Sequence, residues 1–309
     1  MISSLYHGQV DLLLRVLPLV AEERCFGLKG GTAINLFVRD LPRLSVDIDL
    51  TYLLFDKRSD ALRNISEGLS RIKKRIEELN GDILVTEGAK KNEDFEKLIC
   101  ASRRAQIKIE VNTVMRGKLF ESRLMKVSDS VQKKFGKFAS IQVVSHSELY
   151  GGKVCAALDR QHPRDLFDIF LFLKKEAAFE EIKDGFIAAL LSHPRPINEV
   201  LVPNYNDMNS VFETQFVGMT DLDFSYADYE KTRLLLGKTI LKALTQNDKE
   251  FLISFKKGKP NWELTQLPQL EKMPAIQWKL LNIQKLARDN PLKHKGLLSE
   301  LTKKLEKTT

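Results

Sequence analysis

The chain has 309 residues, of which 43% are hydrophobic and 29% are charged, a balance that is typical of a globular protein and excludes a disordered or fibrous chain. Its formal net charge of +8 is uneven, because residues 231–309 hold 17 Lys and Arg against 7 Asp and Glu, which gives this quarter +10 and leaves residues 1–230 at −2. A basic segment beside a nearly neutral one indicates a polyanionic partner such as nucleic acid, and solvated lysines on helix surfaces are the alternative.

The cysteines and the apolar segments indicate a cytoplasmic protein. Cys25, Cys100 and Cys155 lie far apart, and the absence of a Cys-x-x-Cys pair argues against a zinc site or a disulfide framework. The apolar run 12–14 is preceded by Asp11 and followed by Arg15, so it is too short and too charged to span a membrane. We therefore expect no membrane partner.

The first predicted elements after an N-terminal helix surround a pair of glycines. Residues 25–28 are short and mostly apolar, which predicts a strand. Gly30 and Gly31 follow and predict a tight turn, and residues 32–38 predict a short helix.

The next predicted strand carries two acids, Asp47 and Asp49. Because side chains alternate along a strand, both carboxylates leave on one face, while Val46, Ile48 and Leu50 point to the other. Two neighbouring carboxylates repel each other unless a cation lies between them, and a hard divalent cation such as Mg²⁺ or Mn²⁺ prefers oxygen ligands. The pattern alone is also common in ordinary solvated strands and turns.

Residues 61–80 have helical periodicity, and residues 83–87, 95–101 and 104–114 predict strands. In the last of these, the apolar residues occupy odd positions, so Lys108, Glu110 and Asn112 share the other face. Glu110 is therefore a candidate third carboxylate beside Asp47 and Asp49. The alternative is an exposed glutamate on a strand.

Two consecutive helices follow a short strand at 141–144. Ser145 and Glu148 have the spacing of a capping box, which predicts a helix to about residue 159, with Lys153 on the same face as Arg160. Pro163 predicts the start of the next helix. Asp165 and Asp168 lie on adjacent turns of this helix. In the plainer interpretations, Lys153 is a solvated surface lysine and Asp165 is an acid whose charge suits a helix N-terminus.

The order of strand, glycine pair, short helix and Asp-x-Asp strand resembles the core of the nucleotidyltransferase fold of the DNA polymerase β-like superfamily. The resemblance implies an α/β protein with a mixed sheet. In that superfamily the glycine turn approaches a triphosphate and the two aspartates hold metal ions.

The later motifs narrow the resemblance to the AbiEii/AbiGii nucleotidyltransferase toxins. The stretch 145–168 looks like the lysine helix and the Arg-Asp-x-x-Asp helix of that family, and 43–50 matches its Arg-x-Ser-x-Asp-Ile-Asp-Leu motif. The similarity continues through 216–219 and 274–282. The family implies a metal-dependent toxin paired with a cognate antitoxin, and in related members the transfer of nucleotides from an NTP to tRNA 3′ ends.

The resemblance and the chemistry of nucleotidyl transfer together suggest roles for individual residues. The expected metal ligands, which are also catalytic, are Asp47, Asp49 and Glu110. The expected contacts to the NTP are Lys29, Gly30, Gly31, Thr32, Arg43, Ser45 and Lys153. Lys153 would neutralise phosphate charge, Asp168 would orient Lys153 or a base edge, and Arg43 and Ser45 could instead support the strand. The third carboxylate varies within the superfamily, and some toxin relatives do without it.

We place a domain boundary near residue 145. Residues 1–144 are expected to form the nucleotidyltransferase catalytic core, and residues 145–309 a mainly helical domain that completes the active-site cleft and carries the basic surface, including Lys256, Lys257 and Lys259. Three alternatives remain open: nucleotide transfer to a small molecule, nucleotide transfer to a protein, and a non-catalytic nucleotide- or RNA-binding module.

Overall fold

The structure is a computed structural model that describes residues 4–79, 81–88, 96–174 and 179–306. The chain forms two compact units. The first contains the chain up to Ser145 together with Val217–Asp223, and the second contains His146–Phe216 and the chain from Phe224 onward. The short segment Val217–Asp223 thus returns from the helical region to the first unit.

The first unit is built on a seven-stranded mixed sheet, which confirms the predicted fold class. In chain order its strands are β1 Phe26–Lys29, β2 Asp47–Tyr52, β3 Leu84–Glu87, β4 Lys97–Ala101, β5 Gln106–Asn112, β6 Arg123–Lys126 and β7 Ser140–Val143. Their order across the sheet is β3-β4-β5-β2-β1-β7-β6. The pairs β2–β5 and β1–β7 are parallel, and the other neighbours are antiparallel.

Helices cover the apolar face of this sheet. The helices of the first unit are α1 Ser4–Ala21, α2 Gly30–Ala33, α3 Arg58–Leu79 and α4 Asp129–Phe135. Phe26, Leu28, Ile48 and Leu50 are fully buried on this face. At Gly68, α3 lies so close to the ring of Phe26 that an added Cβ would be 3.0 Å from two ring atoms. The alternate residues of β1 and β2 therefore face the other side of the sheet.

The helix after the glycine pair differs from the prediction in its start and its winding. It begins at Gly30, and residues Ile34–Val38 continue it as a π-helical turn, closed by the bond from the Arg39 amide to the Ile34 carbonyl. The side chain of Asn35 donates to the Gly31 carbonyl at 2.9 Å, so a side-chain amide occupies an acceptor of the first turn. Single π-turns of this kind occur often at functional sites.

Every regular element among the described residues of the second unit is helical, in agreement with the predicted helical C-terminal region. Its α-helices are α5 His146–Arg160, α6 Pro163–Lys174, α7 Lys183–Ser192, α8 Ile197–Leu201, α9 Asn209–Gln215, α10 Tyr226–Ala243, α11 Gln246–Lys256, α12 Pro274–Asp289 and α13 Pro291–Glu306. Short 3₁₀ turns occupy Phe179–Glu181, Trp262–Leu264 and Leu270–Lys272. Within the described ranges, none of the helices combines the length and the apolar character needed to cross a bilayer.

Two glycines bring α5 and α7 into backbone contact. A Cβ added at Gly151 would lie 2.2 Å from the Phe186 amide nitrogen, and one added at Gly185 would lie 2.0 Å from the Ser147 carbonyl oxygen. The Ser147 hydroxyl also accepts a hydrogen bond from the Gly185 amide at 3.0 Å. This close packing fixes α5, the helix that carries Lys153.

Candidate active site

The glycine turn is in close contact with β2, the strand that carries Asp47 and Asp49. Gly30 follows the last residue of β1 with φ +73°, a conformation that favours glycine. A Cβ at this position would lie 2.6 Å from the Oδ2 atom of Asp49. Both the backbone conformation and the space therefore demand glycine beside the Asp49 carboxylate.

We expect Gly30→Ala to displace the Asp49 side chain and to lower both stability and nucleotide transfer. The strained φ alone costs roughly 1 kcal/mol or more. Thermal unfolding and a transfer assay would measure the two effects. Gly81→Ala is the control, because no described residue lies within 4 Å of its added Cβ and its φ is not in the left-handed region. Equal behaviour of the two variants would contradict the close approach at Gly30.

The strand register gathers the predicted carboxylates on one face of the sheet. Asp49 lies opposite Lys29 of β1 on one side and opposite Glu110 of β5 on the other. Asp47 lies opposite Lys108 of β5. Residues opposite each other on neighbouring strands point to the same face, so the two aspartates and Glu110 share the face that α3 does not cover.

Two lysines share this face and interact with the acids. Lys108 Nζ lies 2.6 Å from Glu110 Oε2. Burial lowers the pKa of Lys108, but its bond to Glu110 and the charges of Glu110, Asp47 and Asp49 outweigh burial and raise that pKa overall. For Lys29, burial lowers the pKa and the charges of Asp49 and Glu110 offset only part of the shift. This face of the sheet therefore carries carboxylates and amines that interact electrostatically with one another.

The donor chemistry of Asp47 and Asp49 fits a divalent cation, because two carboxylates at i and i+2 offer hard oxygen ligands on one side of a strand. A third ligand is not in place. Across residues 4–79, 81–88, 96–174 and 179–306, no three His, Cys, Asp or Glu side chains are arranged as a metal site. The Glu110 carboxylate is paired with Lys108 and would have to leave it to bind a metal ion. The metal role of Glu110 therefore stays a prediction.

Three of the predicted NTP contacts build the glycine turn itself. Arg43 is 3% exposed and donates to the Leu44 carbonyl at 2.7 Å. A Cβ at Gly31 would lie 2.8 Å from Arg43 Nη2 and 2.9 Å from Ser45 Oγ, so both side chains pack directly on the turn. Thr32 Oγ1 donates to the Asp47 carbonyl and lies 3.0 Å from Ser45 Oγ. These contacts support the turn, and contact of these side chains with phosphate stays a prediction.

The segment Val217–Asp223 forms hydrogen bonds with the loop that precedes β2. The Leu44 amide donates to the Met219 carbonyl at 3.0 Å, and the Thr220 hydroxyl donates to the Pro42 carbonyl at 2.7 Å. Residues 216–219 match a family motif whose role is not evident from the sequence. The backbone bond of Met219 and the side-chain bond of Thr220 brace the loop that leads into β2.

The second unit contains a compact buried charge cluster on α5 and α6. Lys153 Nζ lies 2.8 Å from Asp165 Oδ1 and 3.1 Å from Asp168 Oδ2, and the side chains of all three are at most 6% exposed. Arg160 also binds Asp165 through Nε and Nη2. Burial alone would raise the pKa of Asp165, but the charges of Lys153 and Arg160 hold that pKa well below its usual range.

This cluster places the predicted residues Lys153 and Asp168 in direct contact, and it adds Asp165 and Arg160 as partners. The lysine is thus a buried, doubly paired ammonium rather than a solvated one. The action of Lys153 and Asp168 on the nucleotide stays a prediction. Lys108 is a further residue of the site: the alternation of β5 predicts its place on the face of Glu110, but no sequence motif marks it.

A mixed sheet with a glycine turn against an Asp-x-Asp strand defines the nucleotidyltransferase class. The chain belongs to the family described as "Nucleotidyl transferase AbiEii toxin, Type IV TA system", which matches residues 11–281. It is therefore a nucleotidyltransferase toxin of a type IV toxin–antitoxin system, and the family implies an NTP substrate, usually a divalent metal, and an antitoxin.

Among solved structures, the fold is similar to that of MenT4, a nucleotidyltransferase toxin from Mycobacterium tuberculosis H37Rv. The two share 13% sequence identity with a TM-score of 0.60, over 91% of this chain and 95% of that one. A comparison with curated proteins finds no match.

Proposed function

We propose that the protein transfers NMP from an NTP to an RNA acceptor, with the 3′ end of tRNA as the preferred site. The observation that carries the proposal is the row Lys29, Asp49 and Glu110 across three adjacent strands, next to a glycine turn that has no room for a side chain. NTPs and tRNA meet in the cytoplasm, so the proposal places the reaction there.

In the proposed reaction, the acceptor hydroxyl attacks the α-phosphorus, a new P–O bond forms, and the bond to the leaving pyrophosphate breaks. Asp47 and Asp49 would hold Mg²⁺ or Mn²⁺, which stabilises the charge that develops on the phosphate oxygens. The backbone amides of Gly30, Gly31 and Thr32 would bind the triphosphate. Lys29 would stand at the edge of this site, opposite Asp49.

The decisive experiment incubates the protein with each α-labelled NTP and whole-cell RNA, with and without EDTA, and resolves the products on a gel. We expect label in the tRNA band with one or more NTPs, and loss of that label with EDTA. Label in protein or in a small acceptor instead would support one of the alternative acceptors. Absence of both label transfer and pyrophosphate release would support a non-catalytic binding module.

A basic and aromatic surface in the second unit supports an RNA acceptor. Trp278 on α12 is 64% exposed, although its neighbour Lys279 is buried. Lys279 donates to the carbonyl of Leu190 in the last turn of α7 and to those of His193 and Arg195 just after that helix. Burial lowers the pKa of Lys279 to about 7. The bonds of Lys279 fix α12 to α7 and leave the Trp278 ring on the outside, where a base can stack on it.

Exposed lysines on α12 and beside it belong to the same basic and aromatic surface. The Gly258 carbonyl accepts a hydrogen bond from the Gln284 side chain of α12 at 2.9 Å, which places the exposed Lys257 and Lys259 beside that helix. Lys285 on α12 is exposed as well. Lys256 was grouped with these lysines from the sequence, but it is 3% exposed and burial lowers its pKa, so it does not belong to the surface.

We expect the double variant Lys257→Glu/Lys259→Glu to weaken tRNA binding and to flatten its dependence on salt. Each lost phosphate contact should reduce the slope of log K against log[salt] by about 1. We expect Trp278→Ala to weaken binding by about 1–3 kcal/mol, the usual value of a stacked base. Fluorescence anisotropy with labelled tRNA at several salt concentrations would measure both.

The matched control is Lys74→Glu, which reverses a 76% exposed lysine on α3, the helix on the apolar side of the sheet. It should leave tRNA binding unchanged, and none of these variants should alter NTP binding. A tRNA affinity that does not respond to salt, or an equal effect of the control, would count against this surface.

A further inference from the structure

Arg116 is a buried arginine to which the described residues offer no hydrogen-bond acceptor at two of its three guanidinium nitrogens. It lies in the loop after β5 and is only 4% exposed. Its Nε and Nη1 atoms are buried and make no hydrogen bond within residues 4–79, 81–88, 96–174 and 179–306. Buried charges are normally paired, because an unpaired one loses its hydration without compensation. An orphaned guanidinium inside a well-packed unit therefore calls for an external acceptor.

Asp56, the acid whose charge acts on Arg116, already accepts other hydrogen bonds. Asp56 accepts hydrogen bonds through Oδ2 from the Tyr52 hydroxyl and from Asn64 Nδ2. Burial lowers the pKa of Arg116, the positive charge of Arg58, the first residue of α3, lowers it further, and the charges of Tyr52 and Asp56 offset only part of that shift. The surroundings of the guanidinium thus favour an added anion.

The loop that carries Arg116 is held rigidly. The Gly117 amide donates to the Tyr52 carbonyl at 2.8 Å, and the Thr51 hydroxyl donates to the Met115 carbonyl at 2.8 Å. Gly117 has φ +88°, and a Cβ added to it would lie 2.6 Å from Cε1 of Phe55. Arg116 is therefore preorganised, which lowers the entropy cost of binding a ligand.

Two segments next to Arg116 form an exposed rim that carries four apolar side chains. Leu54 and Phe55 follow β2, and Val114 and Phe120 flank Arg116 in sequence. Their exposed fractions are 47%, 42%, 48% and 36% respectively. Phe55 contacts the Gly117 position, which joins the two segments into one patch. An apolar rim around a buried cation fits a ligand that combines one charge with an apolar body.

We propose that Arg116 is the centre of a second binding site, which takes a carboxylate carried on an apolar body. The planar guanidinium fork matches a carboxylate in a bidentate arrangement, and the rim covers the apolar part. The site is separate from the proposed nucleotide site, because Tyr52 lies about 10 Å along β2 from Asp49. A free apolar acid and an acidic apolar segment of a protein would present the same group.

The test uses sodium hexanoate as the probe and thermal unfolding of the full chain as the readout, against sodium acetate, sodium phosphate and sodium chloride at equal ionic strength. A ligand that binds only the folded state raises Tm. We expect hexanoate to raise Tm more than acetate does. We expect phosphate to produce no shift of Tm that depends on Arg116. Arg116→Met should abolish the hexanoate shift. In chloride alone it should raise Tm by about 2–4 °C, because it removes an unpaired buried charge.

The matched control is Arg63→Met on α3, an exposed arginine that is ion-paired with Asp60 at 2.9 Å, and it should keep the hexanoate shift. Should Arg116→Met fail to fold, the Nε–H resonance of Arg116 in the wild type gives the answer, since hexanoate should move it and chloride should not. An acidic apolar peptide that competes with hexanoate would identify a protein segment as the source, and one that does not compete would identify a free acid.

An unmoved Arg116 resonance, an equal hexanoate shift in Arg116→Met, or a shift produced by phosphate and not by hexanoate would each overturn the proposal. Nucleotide transfer should be the same in Arg116→Met and the wild type. The result at this site is therefore independent of the proposed reaction.

Discussion

Asp49→Asn is expected to abolish nucleotide transfer while the fold is retained. The change keeps the shape of the side chain and removes the charge that would hold a metal ion beside the glycine turn. Loss of that ligand removes transition-state charge stabilisation, which we expect to lower the rate by roughly 10³-fold or more. Asp47→Asn should behave in the same way, because the two side chains share one face of β2.

The stability of these variants should change little. Asp49→Asn removes the attraction to Lys29, which faces it across β1 and β2, but it also removes repulsion from Asp47 and Glu110. The two effects oppose each other on a half-exposed face, so we expect a net change within about 1 kcal/mol. Release of pyrophosphate, transfer of α-labelled nucleotide and thermal unfolding should be measured on the same preparations.

The chain offers a matched control in its second Asp-x-Asp sequence. Asp223→Asn makes the same chemical change at an exposed position in the first unit, outside any strand. It should retain normal transfer. A folded Asp49→Asn protein that is as active as Asp223→Asn would refute the metal assignment for this strand.

The parts of the fold that were predictable are those that local chemistry determines. Strand alternation was enough to place Asp47 and Asp49 on one face, and the glycine pair was enough to predict a turn. Pro163 correctly marks the start of α6. The boundaries were less accurate: β5 runs from Gln106 to Asn112 rather than over 104–114, and β4 begins at Lys97, while the predicted start at Phe95 and the predicted helix end at Asn80 lie outside the described residues.

The parallel pairing of β2 with β5 could not be read from the sequence, because it joins strands that are separated by α3, β3 and β4. It is this pairing that puts Glu110 opposite Asp49 and Lys108 opposite Asp47. The burial of Lys153 could not be predicted from the sequence either. Its helical position is compatible with solvent, and only the packing of α5 against α6 encloses its ammonium group between two aspartates.

Lys153→Met is expected to lower stability strongly as well as activity. Without this lysine, Asp165 keeps Arg160 as its partner in the cluster. The buried Asp168 loses the ammonium group that lies 3.1 Å from its Oδ2 atom. Breaking a buried pair in this way costs about 3–5 kcal/mol. A loss of transfer in the single variant would therefore be ambiguous, since an unstable protein is also inactive.

The double variant Lys153→Met/Asp168→Asn separates the two roles. It restores the charge balance, because Asp165 keeps Arg160, and it should recover most of the lost stability. If Lys153, oriented by Asp168, acts on the nucleotide, the recovered protein should still transfer at least about 10²-fold more slowly and bind NTP more weakly, because the pair that places a cation at the phosphates is missing. Lys183→Met, which breaks the less buried pair with Asp248 at 2.8 Å, is the control and should keep normal transfer. If the double variant regains both stability and transfer, the lysine serves only to neutralise its two aspartates, and its predicted role at the triphosphate is wrong.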